Sequence, residues 1–111
     1  MGSPFSPSRE IDGWVFLAGQ GGSREDGTLP GTIEEQTEQT LRNIGSLLAE
    51  HGCSMASVVS CLVHLEDLAD LDRYNAVYMR HFDEPRPVRT TVEARLIGDM
   101  RIEITVVARR R

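Results

Sequence analysis

The sequence offers metal ions very little. It holds two cysteines, Cys53 and Cys61, and no C-x-x-C pair, H-E-x-x-H helix or other spacing typical of metal ligands. Cys61 lies in an apolar run and reads as a small buried hydrophobe, while Cys53 sits in a loop as a free thiol, an arrangement suited to a reducing compartment. Positive charge is also scarce, with 12 Lys and Arg against 17 Asp and Glu, a formal net charge of −5. That balance argues against nucleic acid as a partner, because phosphate binding needs a cationic surface. The one basic run, Arg109 to Arg111, reads as a solvated tail. No apolar stretch approaches the ~20 residues that span a bilayer. The start Met1-Gly2-Ser3-Pro4 lacks the basic and apolar regions of a secretion signal. These absences lead us to expect a soluble cytoplasmic protein with no metal, no cofactor and no membrane contact.

What is present suits one globular domain over residues 1–111. Apolar residues make up 40% and charged residues 26%, unlike a disordered chain. At this length, surface buried in an oligomer adds usefully to a small core.

Local patterns divide the chain. Trp14-Val15-Phe16-Leu17-Ala18 is a short β-rich run between glycines, and Gln20 to Gly31 is a glycine-rich loop. Thr32 and Glu35 form a T-x-x-E capping box ahead of a helical stripe of Ile33, Thr37, Leu41, Ile44 and Leu48, which Gly52 ends. Val58 to Leu65 reads as an interior strand, with Val59, Cys61, Val63 and Leu65 on one face. A second helix is expected from about Asp70 to Phe82, with Leu71, Tyr74, Tyr78 and Phe82 inward and Pro85 and Pro87 beyond its end. Two strands close the chain: Val88, Thr90, Val92, Ala94 and Leu96 alternate with Arg89, Thr91, Glu93 and Arg95, and Ile102, Ile104, Val106 and Ala108 with Arg101, Glu103, Thr105 and Val107. The order β–α–β–α–β–β gives an α+β sheet covered on one face by two helices.

Two helices leave the other face bare. On this reading it shows Arg89, Thr91 and Glu93 beside Glu103, Thr105 and Val107, a surface for another copy of the chain to close. If the last two strands pair, Arg95 falls opposite Glu103, and at ~3.3 Å per residue Arg89 lies roughly 20 Å from Glu103 in the same chain. The two could share a small-molecule site only across an interface.

Several segments together resemble the Rid family (reactive intermediate deaminases, the YjgF or L-PSP group). They are Val15-Phe16-Leu17-Ala18-Gly19-Gln20, Ile33-Glu34-Glu35-Gln36-Thr37, Tyr74-Asn75-Ala76-Val77-Tyr78, Pro87-Val88-Arg89-Thr90-Thr91-Val92-Glu93 and Arg101-Ile102-Glu103-Ile104. The resemblance covers nearly the whole chain. It implies a chorismate-mutase-like α+β subunit, a homotrimer and clefts between subunits. In that setting Arg89 grips the carboxylate of a 2-imino or 2-enamino acid and Glu103 positions the attacking water. Phe5, Ala18, Gly19, Asn75 and Thr91 would complete the substrate pocket. A guanidinium fork suits bidentate carboxylate binding, and an imine is electrophilic enough to need only a carboxylate base. The family often carries tyrosine, serine and cysteine where Phe5, Ala18 and Thr91 stand, and the last turn here is one residue shorter.

Bland readings stand beside these. Arg89 reads equally as a surface charge, Glu103 as the cross-strand partner of Arg95, and Asn75 as a helix-surface residue. His64 reads as a satisfied strand histidine, and His51 and His81 as partners of helix-end carbonyls. Tyr74, Tyr78 and Trp14 read as packing residues. A binding module for a small carboxylate metabolite is the alternative to a deaminase. RNA cleavage is disfavoured by the acidic charge and the lack of a His/Lys cluster.

Overall fold

The computed structural model describes residues 2–111. It has seven main elements: β1 (Ser8–Ile11), β2 (Trp14–Leu17), α1 (Ile33–Ala49), β3 (Val58–Leu65), α2 (Leu71–Tyr78), β4 (Val88–Glu93) and β5 (Ile102–Arg109). The strands form one mixed sheet in the order β1-β2-β5-β3-β4, parallel only between β3 and β4. Both helices lie on one face, and the core they share with the sheet includes Val15, Leu41, Ile44, Val63, Tyr74 and Ile104. The expected α+β layering is therefore present.

Helix α1 follows its punctuation. The Thr32 hydroxyl accepts from the Glu35 N–H at 3.1 Å and donates to the Glu35 carboxylate at 2.9 Å, so the box closes through the two side chains. Its whole apolar stripe is buried, and Gly52 takes the left-handed conformation at φ 70° after the last turn. Replacing Thr32 by Ala should lower stability by about 1 kcal/mol, the usual cost of a lost N-cap, readable as a shifted urea midpoint with an unchanged slope. The buried Gln36 is a tie that the apolar pattern does not reveal. Its Nε2 donates to the Pro30 carbonyl at 3.0 Å, and its Oε1 accepts from the Arg101 N–H at 2.8 Å, joining the glycine-rich loop to the start of β5.

The strands depart from expectation in four ways. First, β1 pairs with β2 through Asp12-Gly13, both at positive φ (52° and 83°), the two-residue Asp-Gly hairpin turn. Second, β4 and β5 are not neighbours, because β3 lies between them; Glu103 faces His64 and not Arg95. Third, the faces of β4 are inverted. Arg89 and Thr91 stand beside Cys61 and Val63 on the helix side, and Val88 and Val92 are exposed on the bare side. Fourth, a register shift between Val58 and Ser60 buries Val58 and exposes Val59.

Smaller corrections follow from packing. Helix α2 is shorter than expected and continues as a tight 3-10 turn over Met79–His81, and Leu71 is exposed while Tyr74, Tyr78 and Phe82 are buried. His51 bridges Ser8 and Glu10, and His81 meets Glu38 at 2.7 Å, so neither serves helix-end carbonyls. Cys53 and Cys61 are both free and buried.

The bare face of the sheet carries Ile11, Trp14, Phe16, Leu62, Val88 and Val92, all substantially exposed.

Candidate active site

Arg89 owes its position to the parallel pairing of β4 with β3, which sets it opposite Cys61. Its guanidinium carbon lies 4.9 Å from the centre of the Tyr74 ring and 4.8 Å from that of Tyr78. Two such cation–π contacts each stabilise by roughly 0.5–1 kcal/mol at an exposed site and hold the side chain extended. The Tyr74 hydroxyl is fixed in turn by Thr91 Oγ1 at 3.2 Å. Burial pushes the ionisations of Tyr74, Tyr78 and the Cys61 thiol upward, so all three remain neutral beneath the arginine. Among the described residues Arg89 makes no ion pair. It is an exposed cation on a neutral aromatic floor, with no carboxylate against it among the described residues. Sequence reasoning found the arginine and missed its floor, although Tyr74 and Tyr78 are spaced one helical turn apart.

Glu103 sits two strands away on the opposite face. Its neighbours Ile102 and Ile104 are buried on the helix side, and Glu103 points with Thr105 and Val107 to the bare side. Gly19 and His64 flank it. The Gln20–Ile104 bridge brings Gly19 so near that a β-carbon there would stand 2.8 Å from the Glu103 carboxyl carbon. On β3, His64 Nδ1 lies 3.8 Å from Glu103 Oε1. The glutamate is partly shielded and has no arginine against it, so the expected ion pair with Arg95 is absent among the described residues.

The remaining candidates fall in different places. Ala18 and Gly19 lie at the end of β2 near Glu103, and Ala18 borders a hollow of about 340 Å³ lined also by Ser6, Ser8 and Phe16. Thr91 lies on the helix side with Arg89 and holds Tyr74. Asn75, on α2, has a buried Oδ1 with no hydrogen-bond partner among the described residues. Phe5 is 64% exposed and stands outside the core. One chain thus carries two half-sites, one around Arg89 and one around Glu103, on opposite faces of a sheet; Glu103 is level with His64 and Val92, so Arg89 lies two strands across and three residues along, roughly 14 Å away between backbones at ~4.8 Å per strand and ~3.3 Å per residue. No group of three or more His, Cys, Asp or Glu among the described residues could hold a metal ion. No helix of the described chain is long and apolar enough to cross a membrane.

Comparison with known proteins shows which family the chain belongs to. The family model described as Endoribonuclease L-PSP matches residues 2–110. A RutC family protein of Pyrococcus abyssi is 38% identical over 108 residues, covering 95% of this chain and 85% of that protein. A mouse protein (Mus musculus) named 2-iminobutanoate/2-iminopropanoate deaminase is 32% identical, over 95% of this chain and 80% of its own length. The crystal structure of RidA from the Antarctic bacterium Psychrobacter sp. superposes with a TM-score of 0.93 at 28% identity, covering 96% of this chain and 89% of that one. Sequence and fold agree along nearly the entire chain: it belongs to the endoribonuclease L-PSP family, the group that includes the YjgF and RidA proteins.

Proposed function

We propose that this protein is a hydrolytic deaminase of reactive 2-imino and 2-enamino acids, working in clefts between the subunits of a homotrimer. The observation that carries the reading is the unpaired Arg89 guanidinium, extended over two neutral tyrosine rings. Such a fork is prepared for a planar carboxylate and gains two parallel charge-assisted hydrogen bonds when one arrives. Glu103 supplies the other half. Because the two groups lie on opposite faces of one sheet, a second protomer has to bring its glutamate to the first protomer's arginine. The exposed apolar face of Trp14, Phe16, Leu62, Val88 and Val92 is the surface that such an assembly would bury.

The chemistry needs no more than these residues. Arg89 binds the substrate carboxylate and orients the C=N carbon. Glu103 takes a proton from water as the C–O bond forms and the C=N electron pair moves to nitrogen. The same carboxyl returns that proton to nitrogen, giving a carbinolamine; it then takes the carbinol O–H proton and delivers it to the nitrogen as the C=O forms and the C–N bond breaks, releasing ammonia and a 2-oxo acid. Named relatives of this chain are imine deaminases, in keeping with that reaction.

The test is ammonia release from 2-iminopropanoate generated in situ from alanine by an amino-acid oxidase. Acceleration over the buffer rate supports the proposal, and none across a panel of imino acids contradicts it. A carboxylate-binding module using the same cleft is the second reading. It is favoured by Phe5 and Ala18, which offer no hydroxyl to a substrate, and it predicts ligand affinity without turnover.

Gly19 provides a further check. The three atoms nearest a Gly19→Ala β-carbon all belong to the flexible end of Glu103, so the fold should tolerate it while the carboxylate is forced aside. A displacement near 1 Å costs about 100-fold in rate, so kcat should fall by that order with the melting temperature nearly unchanged.

A further inference from the structure

His64 belongs to no part of the mechanism above, yet it is placed to act on it. It stands directly opposite Glu103 in the antiparallel β3–β5 register, on the face away from the helices. Its Nδ1 is shielded from solvent and has no hydrogen-bond partner among the described residues. The atom it approaches is Glu103 Oε1, at 3.8 Å. A buried ring nitrogen without a partner is costly, and a nearby carboxylate is the acceptor that would satisfy it. Closing the gap to hydrogen-bond length takes about 1 Å, within the reach of small side-chain rotations. The other neighbours on this face do not compete: Val92 lies across from His64 on β4, and Glu66, just past the end of β3, turns its Oε2 to the Leu96 N–H at 2.8 Å. Gly19 closes the opposite side of the carboxylate.

Building on the deaminase reading, we infer that His64 is a positioning residue for Glu103: its Nδ1–H donates to one carboxylate oxygen and turns the other toward the attacking water. The imidazole enters no bond-making step. It selects the rotamer of the base, and Gly19 leaves the space in which that rotamer sits. The proton on Nδ1 also fixes the ring tautomer, as a hydrogen bond at one nitrogen does for histidines generally.

The experiment compares the intact oligomers of wild type, His64→Leu, His64→Gln and His64→Asn in steady-state imine hydrolysis, with the ring read by 15N NMR. The Asn amide nitrogen falls near the place of Nδ1, whereas the Gln amide nitrogen falls near Nε2. We expect His64→Leu and His64→Gln to lose about 10- to 100-fold in kcat, the effect of one hydrogen bond to a charged group, with KM little changed. His64→Asn should recover most of the loss. The wild-type ring should carry its proton on Nδ1, and Glu103→Ala should shift it to Nε2. Wild-type kcat in His64→Leu, or a wild-type ring protonated on Nε2, overturns the inference. A wild type that releases no ammonia overturns the deaminase reading instead, and the tautomer then decides the His64–Glu103 contact by itself.

Discussion

Replacing Arg89 by Ala is expected to lower kcat/KM for imino acids by roughly 30- to 5,000-fold, corresponding to about 2–5 kcal/mol for truncating one partner of a desolvated, hydrogen-bonded charge pair. The wide range reflects how thoroughly the closed cleft excludes water. The oligomer should persist, because Arg89 is exposed and rests on Tyr74 and Tyr78 of its own chain. Arg89→Lys sharpens the result. A lysine keeps the charge but loses the planar fork and most of the ring stacking, so it should recover little. Activity of Arg89→Lys close to wild type would mean that charge alone binds the substrate. Steady-state kinetics beside size-exclusion chromatography reads both variants.

Glu103→Gln has the other large expected effect. The amide keeps the size and most contacts of the side chain but cannot accept the water's proton. General-base catalysis contributes about 10²–10⁴ in rate. The loss should fall on kcat, with KM nearly constant, because the group acts on the water and not on the substrate carboxylate. The opposite pattern, a raised KM with kcat preserved, would reassign Glu103 to substrate binding. Single-turnover measurement of ammonia release separates the two.

Local chemistry was legible in the sequence and pairing was not. Helix α1 follows directly from Thr32, Glu35, the buried stripe and Gly52, since each signal acts within a few residues. Strand β5 follows from its strict alternation, because one of its faces is fully apolar. β4 carries an alternation as clear as that of β5, but period two only says that there are two faces. Val88 and Val92 look like core residues in isolation. They lie on the bare face, where their apolar character suits a surface that another chain covers, while Arg89 and Thr91 turn inward to the tyrosines of α2. The pairing partners of β4 and β5 are hidden for a related reason. A short connection suggests a hairpin, but β4 joins β3 in parallel at the sheet's edge and β5 returns antiparallel on the other side of β3.

The candidate site follows the same division. Arg89 and Glu103 stand out by residue type within a recognisable sequence context. Their supports do not, since the aromatic floor under Arg89 and the His64–Gly19 flanks of Glu103 exist only through tertiary register. Within one chain the two groups are kept apart both by facing opposite sides of the sheet and by an offset of three residues along its strands.

That separation suggests the decisive measurement. Arg89→Ala and Glu103→Gln proteins, each inactive alone, are unfolded together in equal amounts and refolded so that their subunits mix, with hybrid oligomers confirmed by mass. If every site joins an arginine from one protomer to a glutamate from its neighbour, random mixing in a closed ring makes about one site in four fully wild type. Ammonia release should return to about a quarter of the wild-type rate. Hybrids that form and remain inactive would contradict the shared site.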